Sequence, residues 1–489
     1  MPRAPTLVRP DARTGMPRAT FALLAGFAAF AFTIIVPTAL RDGDTGWHLA
    51  TGAWIVAHAS VPTTDPFSFT AAGRHWVAHE WLSELAMYAS YRAAGWSGLI
   101  VLIGAAMAAL FALVAYQSRR WLSTRASIAA LLMLATGLLP SLLARPHILA
   151  LPLLAGWTIA LLHARDRDRS PPLVLAALML VWANAHGSFV FGLALVGVFA
   201  LEALIAATPS DRRHVVIGWG MFGILSAIAA TATPAGIDGL IFPFYVNNLA
   251  LLKHLNEWQP ADFSGFSGFE AILLATLFTL LVRPVRIPPV RLILLLGVLH
   301  LTLQHTRQEI VLVVVGVLLL AEPIGRAWTT PVSAAPGFRN ARQSAPIIAL
   351  LSLLAAGLSA YRIAVPVVRA DSAAIPVTAL RHVPSQLRGQ PVFNDYGFGG
   401  PLILAGIRPY IDGRSDMYGD PFTLDYFAIA QGDVDRWHAA NAKWHFRWTI
   451  LPPRSKLVPA LDHDPAWRRI YADDTAVIHQ AVPAPRPTP

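Results

Sequence analysis

Cysteine is absent from the 489 residues. That excludes disulfides and thiolate metal centres from the chemistry. Charge is scarce: Asp, Glu, Lys and Arg make up 13% of the chain, against about 25% in an ordinary soluble protein. No internal repeat of solenoid period is visible, so a stack of short repeats is not expected. The formal charge of +10 invites a nucleic-acid reading. The surplus arginine, however, sits in short segments between apolar runs, as the positive-inside rule requires, so no nucleic-acid partner is expected. The first apolar run is too long for the h-region of a cleavable signal, so no cleaved leader is expected.

What is present is apolar sequence. Hydrophobic residues make up 55% of the chain, and the mean hydropathy is +0.51. That composition describes a polytopic membrane protein carrying some soluble mass. Eleven spans are read, at 19–40, 98–116, 126–144, 147–163, 172–185, 188–207, 215–232, 267–282, 288–304, 308–325 and 346–366. The expected organisation is a cytoplasmic tail (1–18) and a transmembrane region (19–368) with outer loops at 41–97 and 233–268. An outer α/β domain (369–480) and a disordered tail (481–489) follow. Amphipathic helices lying on the membrane face are expected within 41–97. With the N-terminus inside, the inner segments hold about eighteen arginines and the outer loops about six Lys/Arg, the asymmetry that fixes orientation.

Beyond Arg369 the sequence turns mixed. Strands are expected at 391–394, 408–413, 448–451 and 476–479, a short helix at 399–406, and a hairpin turn at Asp473-Asp474-Thr475. The DGRSD run at 412–416 reads either as a ligand-binding strand end or as a turn with a structural Asp–Arg pair.

The stretch 41–91 is the densest in chemistry. Asp42 and Asp44 lie two positions apart, then come Trp47 and His48, Asp65, His79 and Glu80. Other polar groups fall at the outer ends of distant spans: Arg145, His147, His186, Glu257, Asp262, His305 and Arg307. Charges near hydrocarbon cost ~2.5–3.5 kcal/mol each on insertion scales, so they tend to line a shared polar cavity. Carboxylates suit a general base toward a hydroxyl. Arginine and histidine suit a phosphate and the charge on a phosphate leaving group. Blander readings stand beside these. An acidic pair after a span also marks a membrane boundary. Arg145 also reads as snorkelling, His186 as capping a tight turn, and Glu257 with Asp262 as a solvated loop. The tryptophans of 41–97 read as interfacial anchors or as sugar-stacking rings.

The motifs DGDTGWHL (42–49), DPFSF (65–69) and HEWLSE (79–84) resemble the first outer loop of the GT-C superfamily of membrane glycosyltransferases. RPH (145–147), NAHGSF (184–189) and the 393–419 segment resemble a recurrent set of bacterial multispan proteins. The resemblance implies a GT-C-like, α-helical polytopic fold of about 11 transmembrane helices in the bacterial inner membrane. It implies a polyprenyl-phosphate-linked sugar donor and an envelope glycan, lipid or protein as acceptor. By analogy Asp44 is the base candidate and Asp42 the second. Arg145, His147, His186, His305 and Arg307 are the donor-phosphate candidates. His48, Asp65, His79, Glu80 and Glu257 are acceptor-side or supporting candidates. No cofactor is required by the resemblance; a divalent metal (Mg or Mn) held by Asp42, Asp44 and His48 is one option it leaves open. The rival readings are a transporter or flippase of a lipid-linked or polar solute, and a noncatalytic envelope scaffold.

Overall fold

A computed structural model describes residues 16–328 and 341–482. Residues 1–15 of the expected cytoplasmic tail (1–18), residues 329–340 of a Pro/Ala/Arg linker expected at 326–345, and residues 483–489 of the expected disordered tail (481–489) lie outside the described residues. The first helix, α1 (Arg18–Ile35), stops short of the expected end at residue 40. Pro37 follows, without an N–H to continue the ladder, and the chain tightens into a 3-10 turn at Thr38–Arg41. Next come α2 (Thr45–His58) and α3 (Trp81–Ser118). Helix α3 absorbs both the end of the expected first loop and the second span. It bends where Ala94 and Gly95 leave helical geometry; Gly95 takes φ 58°, which a side chain would resist. Helix α2 does not lie on a membrane face. Its Thr45, His48, Leu49 and Thr51 are buried against the surrounding protein.

The bundle continues with α4 (Thr124–Leu138), α5 (Pro146–Asp166), α6 (Ala176–Ala185), α7 (Phe189–Ala206) and α8 (Arg212–Thr231). The expected second outer loop contains α9 (Ile237–Asn247) and two 3-10 turns. Then follow α10 (Gly268–Val282), α11 (Pro289–Gln304), α12 (Glu309–Trp328) and α13 (Ala341–Ala364). Among the described residues eight helices are long and apolar enough to cross a membrane, and three shorter apolar helices bring the set to eleven. Their interior packs around Ile34, Leu99, Leu110, Trp157, Phe199 and Leu319. Outward, Phe278, Leu281, Ile293 and Leu353 are exposed. Such a surface is at home only in a lipid solvent. Far from the first loop, Arg291 donates two hydrogen bonds to Glu202 at 2.9 and 3.0 Å and lies 3.6 Å from Glu322, which closes that end of the bundle.

The C-terminal unit is α/β. It holds α14 (Val377–His382), β1 (Val392–Asn394), α15 (Gly399–Leu404), α16 (Ser415–Ala430), α17 (Val434–Trp444), β2 (Trp448–Leu451), α18 (Leu457–His463), β3 (Trp467–Ala472) and β4 (Val477–Ala481). The sheet order is β1-β2-β4-β3, with β1 and β2 parallel and the other pairs antiparallel. Asp473 accepts from the N–H groups of Thr475 and Ala476 and shapes the β3–β4 hairpin. The expected strand at 408–413 is not one. Asn394 stands in for a neighbouring strand: its Nδ2 donates to Ile411 O and its Oδ1 accepts from Tyr410 N, each at 2.8 Å. On the other side Thr70 Oγ1 donates to Tyr410 O at 2.6 Å. The segment is therefore held by side chains, with Tyr410 and Ile411 buried, but joins no ladder.

This unit sits directly on the first loop. A Cβ on Gly46 would collide with the carbonyl oxygen of Gly400, and one on Gly400 with that of Gly43. Backbone meets backbone, with no room for a methyl group. Gly46→Ala is expected to push α15 off α2 at a cost of about 1–3 kcal/mol. The check is limited proteolysis of the C-terminal unit in detergent; unchanged cleavage rates would contradict the expectation.

Candidate active site

Asp42 follows the 3-10 turn in extended geometry, and Asp44 precedes α2. Arg145 precedes Pro146, which biases it to extended backbone (φ −127°, ψ 159°) and aims it across the bundle end. Its Nε and Nη2 donate to the two oxygens of Asp42, both at 2.7 Å. The same Nη2 lies 2.9 Å from Asp44 Oδ2. The guanidinium is thus clamped between the two acids rather than snorkelling away. Arg369 Nη2 donates to the Asp42 carbonyl at 2.6 Å and fixes the loop backbone.

The line of charges continues. Arg145 Nη1 lies 3.4 Å from Glu257 Oε2, and Glu257 Oε1 lies 2.8 Å from Arg307 Nη1. Thr306 ties the two loops together, its N–H donating to Gln259 O at 3.0 Å and its hydroxyl to Glu257 O at 3.2 Å. Glu257 is therefore no free solvated loop residue. Four segments remote in sequence meet here in the order acid, base, acid, base.

A second group lies alongside. Glu80 Oε1 is 3.3 Å from His186 Nε2 and 3.6 Å from His79 Nε2. His48 Nδ1 is 3.1 Å from Glu84 Oε1 and 3.9 Å from Glu80 Oε2. Ser188 N–H donates to His186 Nδ1 at 3.0 Å, so the His186 proton sits on Nε2 and faces Glu80.

Burial and charge set the protonation states. Burial drives the Asp44 carboxyl up to about 7; Arg145 opposes this, and Asp42, Glu257 and Asp412 add to it. Burial also opposes ionisation of Asp42, but the Arg145 guanidinium outweighs it and holds that carboxyl low. Glu257 behaves like Asp42: burial is overcome by Arg307 and Arg145. Glu80 has no such direct partner, and burial raises it to about 7. Burial lowers His48, His79 and His186, so all three favour the neutral ring. Two chemically identical acids, Asp42 and Asp44, are split by position, one held low by Arg145 and the other raised by burial.

No family model and no curated protein sequence matches the chain. Solved structures do. The apo oligosaccharyltransferase of Archaeoglobus fulgidus superposes with a TM-score of 0.53 at 10% identity, over 88% of this chain and 69% of that one. The chain shares the fold of that oligosaccharyltransferase. ArnT from Cupriavidus metallidurans, solved with undecaprenyl phosphate, gives a TM-score of 0.47 at 13% identity, over 95% of this chain and 97% of that one.

Not every sequence candidate joins the cluster. Asp65 is buried elsewhere, accepting from Phe67 N and Ser68 N and pairing with Arg414 Nη1 at 2.8 Å. Its work is to hold the loop to the C-terminal unit. His305 Nδ1 bonds Trp258 O at 2.9 Å and steadies the Arg307 turn instead of facing the acids. His147 Nε2 bonds Ser141 O at 2.9 Å, its ring 6.3 Å from that of His186. Conversely, Glu84 and Asp416 are not among the sequence candidates. Glu84 follows Glu80 by one helical turn, so the HEWLSE spacing carries the signal. Asp416 ends the DGRSD run, whose ligand-binding reading is its only signal, and lines a small cleft with Trp47, His79, Glu80, Glu84 and Arg414.

A divalent metal finds different ligands from those read in sequence. Asp42 and Asp44 already converge on a cation, the Arg145 guanidinium, and His48 Nδ1 is engaged with Glu84, so that trio does not fit a metal. His48, Glu80 and Glu84 do fit: one atom from each lies within 4.8 Å of the others, all buried. Glu84 Oε2 has no hydrogen-bond partner among the described residues, and no Lys or Arg offsets the pair directly. Two carboxylates and an imidazole suit Mn²⁺ or Zn²⁺.

Proposed function

We propose that the chain is a membrane glycosyltransferase that moves a sugar from a polyprenyl-phosphate-linked donor to an acceptor hydroxyl at the extracytoplasmic face of the inner membrane. The observation that carries the reading is the meeting of Asp44, Arg145, Glu257 and Arg307 from four distant segments at one end of an apolar bundle with the GT-C fold. In this reading the N-terminus lies inside, and the site and the unit at 369–480 lie outside. The acceptor is an envelope glycan, lipid or protein.

Asp44 takes the proton of the acceptor hydroxyl as its oxygen bonds to the sugar's anomeric carbon. The bond from that carbon to the phosphate oxygen breaks, and the electron pair leaves with the lipid phosphate. Arg145 and Arg307 offset the charge that gathers there. Asp42 remains ionised and keeps Arg145 in place. Glu80 with His79 and His186 supports the acceptor side. A divalent metal at His48, Glu80 and Glu84 would supply a fixed positive charge beside the reacting groups.

The purified chain is expected to release free polyprenyl phosphate from at least one member of a panel of polyprenyl-phosphate-linked sugars. Arg307→Ala is expected to lower kcat by about 10²-fold. Arg307 is partly exposed and bears no core packing, so the variant should fold. Absence of turnover across the panel, together with no binding of any polyprenyl phosphate, would overturn the assignment.

A further inference from the structure

Glu257 occupies the place where the proposed function needs a phosphate. Its two oxygens divide between two arginines, Oε1 to Arg307 and Oε2 to Arg145. A phosphate group bridges arginine forks in the same manner. Arg307 has no other ion pair with an acid among the described residues, and its guanidinium lies 5.4 Å from the Trp258 ring. The Glu257 side chain is 39% exposed, whereas that of Asp42 is 7% exposed. One acid is enclosed by protein; the other keeps a side open to solvent.

The loop that carries Glu257 is fastened at its far side. Asp420 of α16 accepts from Ala250 N at 3.0 Å and Leu251 N at 2.8 Å. His254 stacks on Phe427, ring centroids 5.1 Å apart, and Tyr245 donates its hydroxyl to Asp416 O at 3.3 Å. The position of Glu257 is therefore set by the C-terminal unit as well as by the arginines.

We infer that Glu257 is a built-in competitor for the lipid-phosphate headgroup: it bridges Arg145 and Arg307 when no headgroup is bound, and it returns to drive the product phosphate out. The inference rests on the proposed function. A free polyprenyl phosphate carries more negative charge than the esterified donor. The returning carboxylate therefore repels product more than donor, and Glu257 sets which of the two the site retains.

The test is equilibrium binding of farnesyl phosphate and of inorganic phosphate to the full chain in detergent. Glu257→Gln keeps the shape and removes the charge. It is expected to bind farnesyl phosphate about tenfold more tightly than wild type, as removal of a like charge from an ion site should. Asp420→Ala unties the loop without touching either arginine and is expected to shift binding the same way by a smaller factor. Unchanged or weaker binding in both variants, with Arg307→Ala still losing the ligand, overturns the competitor role and leaves the transferase reading intact. Equal binding by wild type and Arg307→Ala overturns that reading itself. Inorganic phosphate binding wild type as tightly as farnesyl phosphate overturns the lipid as its source.

Discussion

Asp44→Asn is expected to abolish sugar transfer while the protein still inserts, folds and binds its donor. The amide keeps the side chain's size and its place beside Arg145, and loses only the capacity to take a proton. General-base catalysis contributes about 10²–10⁴-fold, so that is the loss expected in kcat. The pH profile is the sharper check. A base works only when ionised, and Asp44 titrates near 7 because burial raises it against the pull of Arg145. The rate should therefore climb with pH up to about 7 and level off above it. Glu80 titrates in the same range, so the two acids must be separated. Glu80→Gln should keep the rising limb at reduced rate, and Asp44→Asn should lose it. Full activity in Asp44→Asn, or a rising limb that vanishes only with Glu80, would end the assignment of the base.

The contrast between the two neighbouring aspartates shows what is legible in sequence and what is not. The apolar runs are read easily, because ~20 consecutive hydrocarbon-compatible side chains have few stable homes outside a bilayer. Their ends are less so. Pro37 shortens α1, and α3 starts at Trp81 because the mixed stretch before Gly95 is helical yet not apolar enough to count as a span. The segment at 408–413 carries a strand's composition, but its hydrogen bonds go to Asn394 and Thr70, and a side chain's choice of partner leaves no periodic trace. The site divides in the same way. That polar groups at span ends share one side follows from topology. That Arg145 takes both Asp42 and Asp44, and so leaves them a poor fit for a metal, follows only from distances. Asp65 has the composition of a site residue and the geometry of a brace.

That brace supports the second large effect. Arg414 is fully buried, donating from Nε and Nη2 to Asp412 at 2.8 and 2.7 Å and from Nη1 to Asp65 at 2.8 Å. Its guanidinium lies 4.8 Å from the Trp76 ring and 5.1 Å from the Phe67 ring. Tyr418 adds a hydroxyl donated to Asp412 at 2.8 Å. Asp65, Phe67 and Trp76 belong to the first loop; Asp412, Arg414 and Tyr418 belong to the C-terminal unit. The ion triad is thus the bolt that holds the unit over Asp44, whose carboxylate touches the space beside Gly413. Arg414→Ala would strand two buried carboxylates without a cation, a change that typically costs about 3–5 kcal/mol. Arg414→Lys keeps the charge but has no fork to serve both acids, so it should recover only part of that loss. The measurement is thermal unfolding in detergent, with proteolysis reporting release of the C-terminal unit. Replacing all three residues by apolar ones of similar volume should cost less than Arg414→Ala alone, because the expense lies in the unpaired acids and not in the missing attraction. A triple variant as unstable as the single one would mean that the triad is net stabilising in itself, and that the first loop depends on this ion cluster rather than on the glycine contacts at Gly43, Gly46 and Gly400 to stay beneath the C-terminal unit.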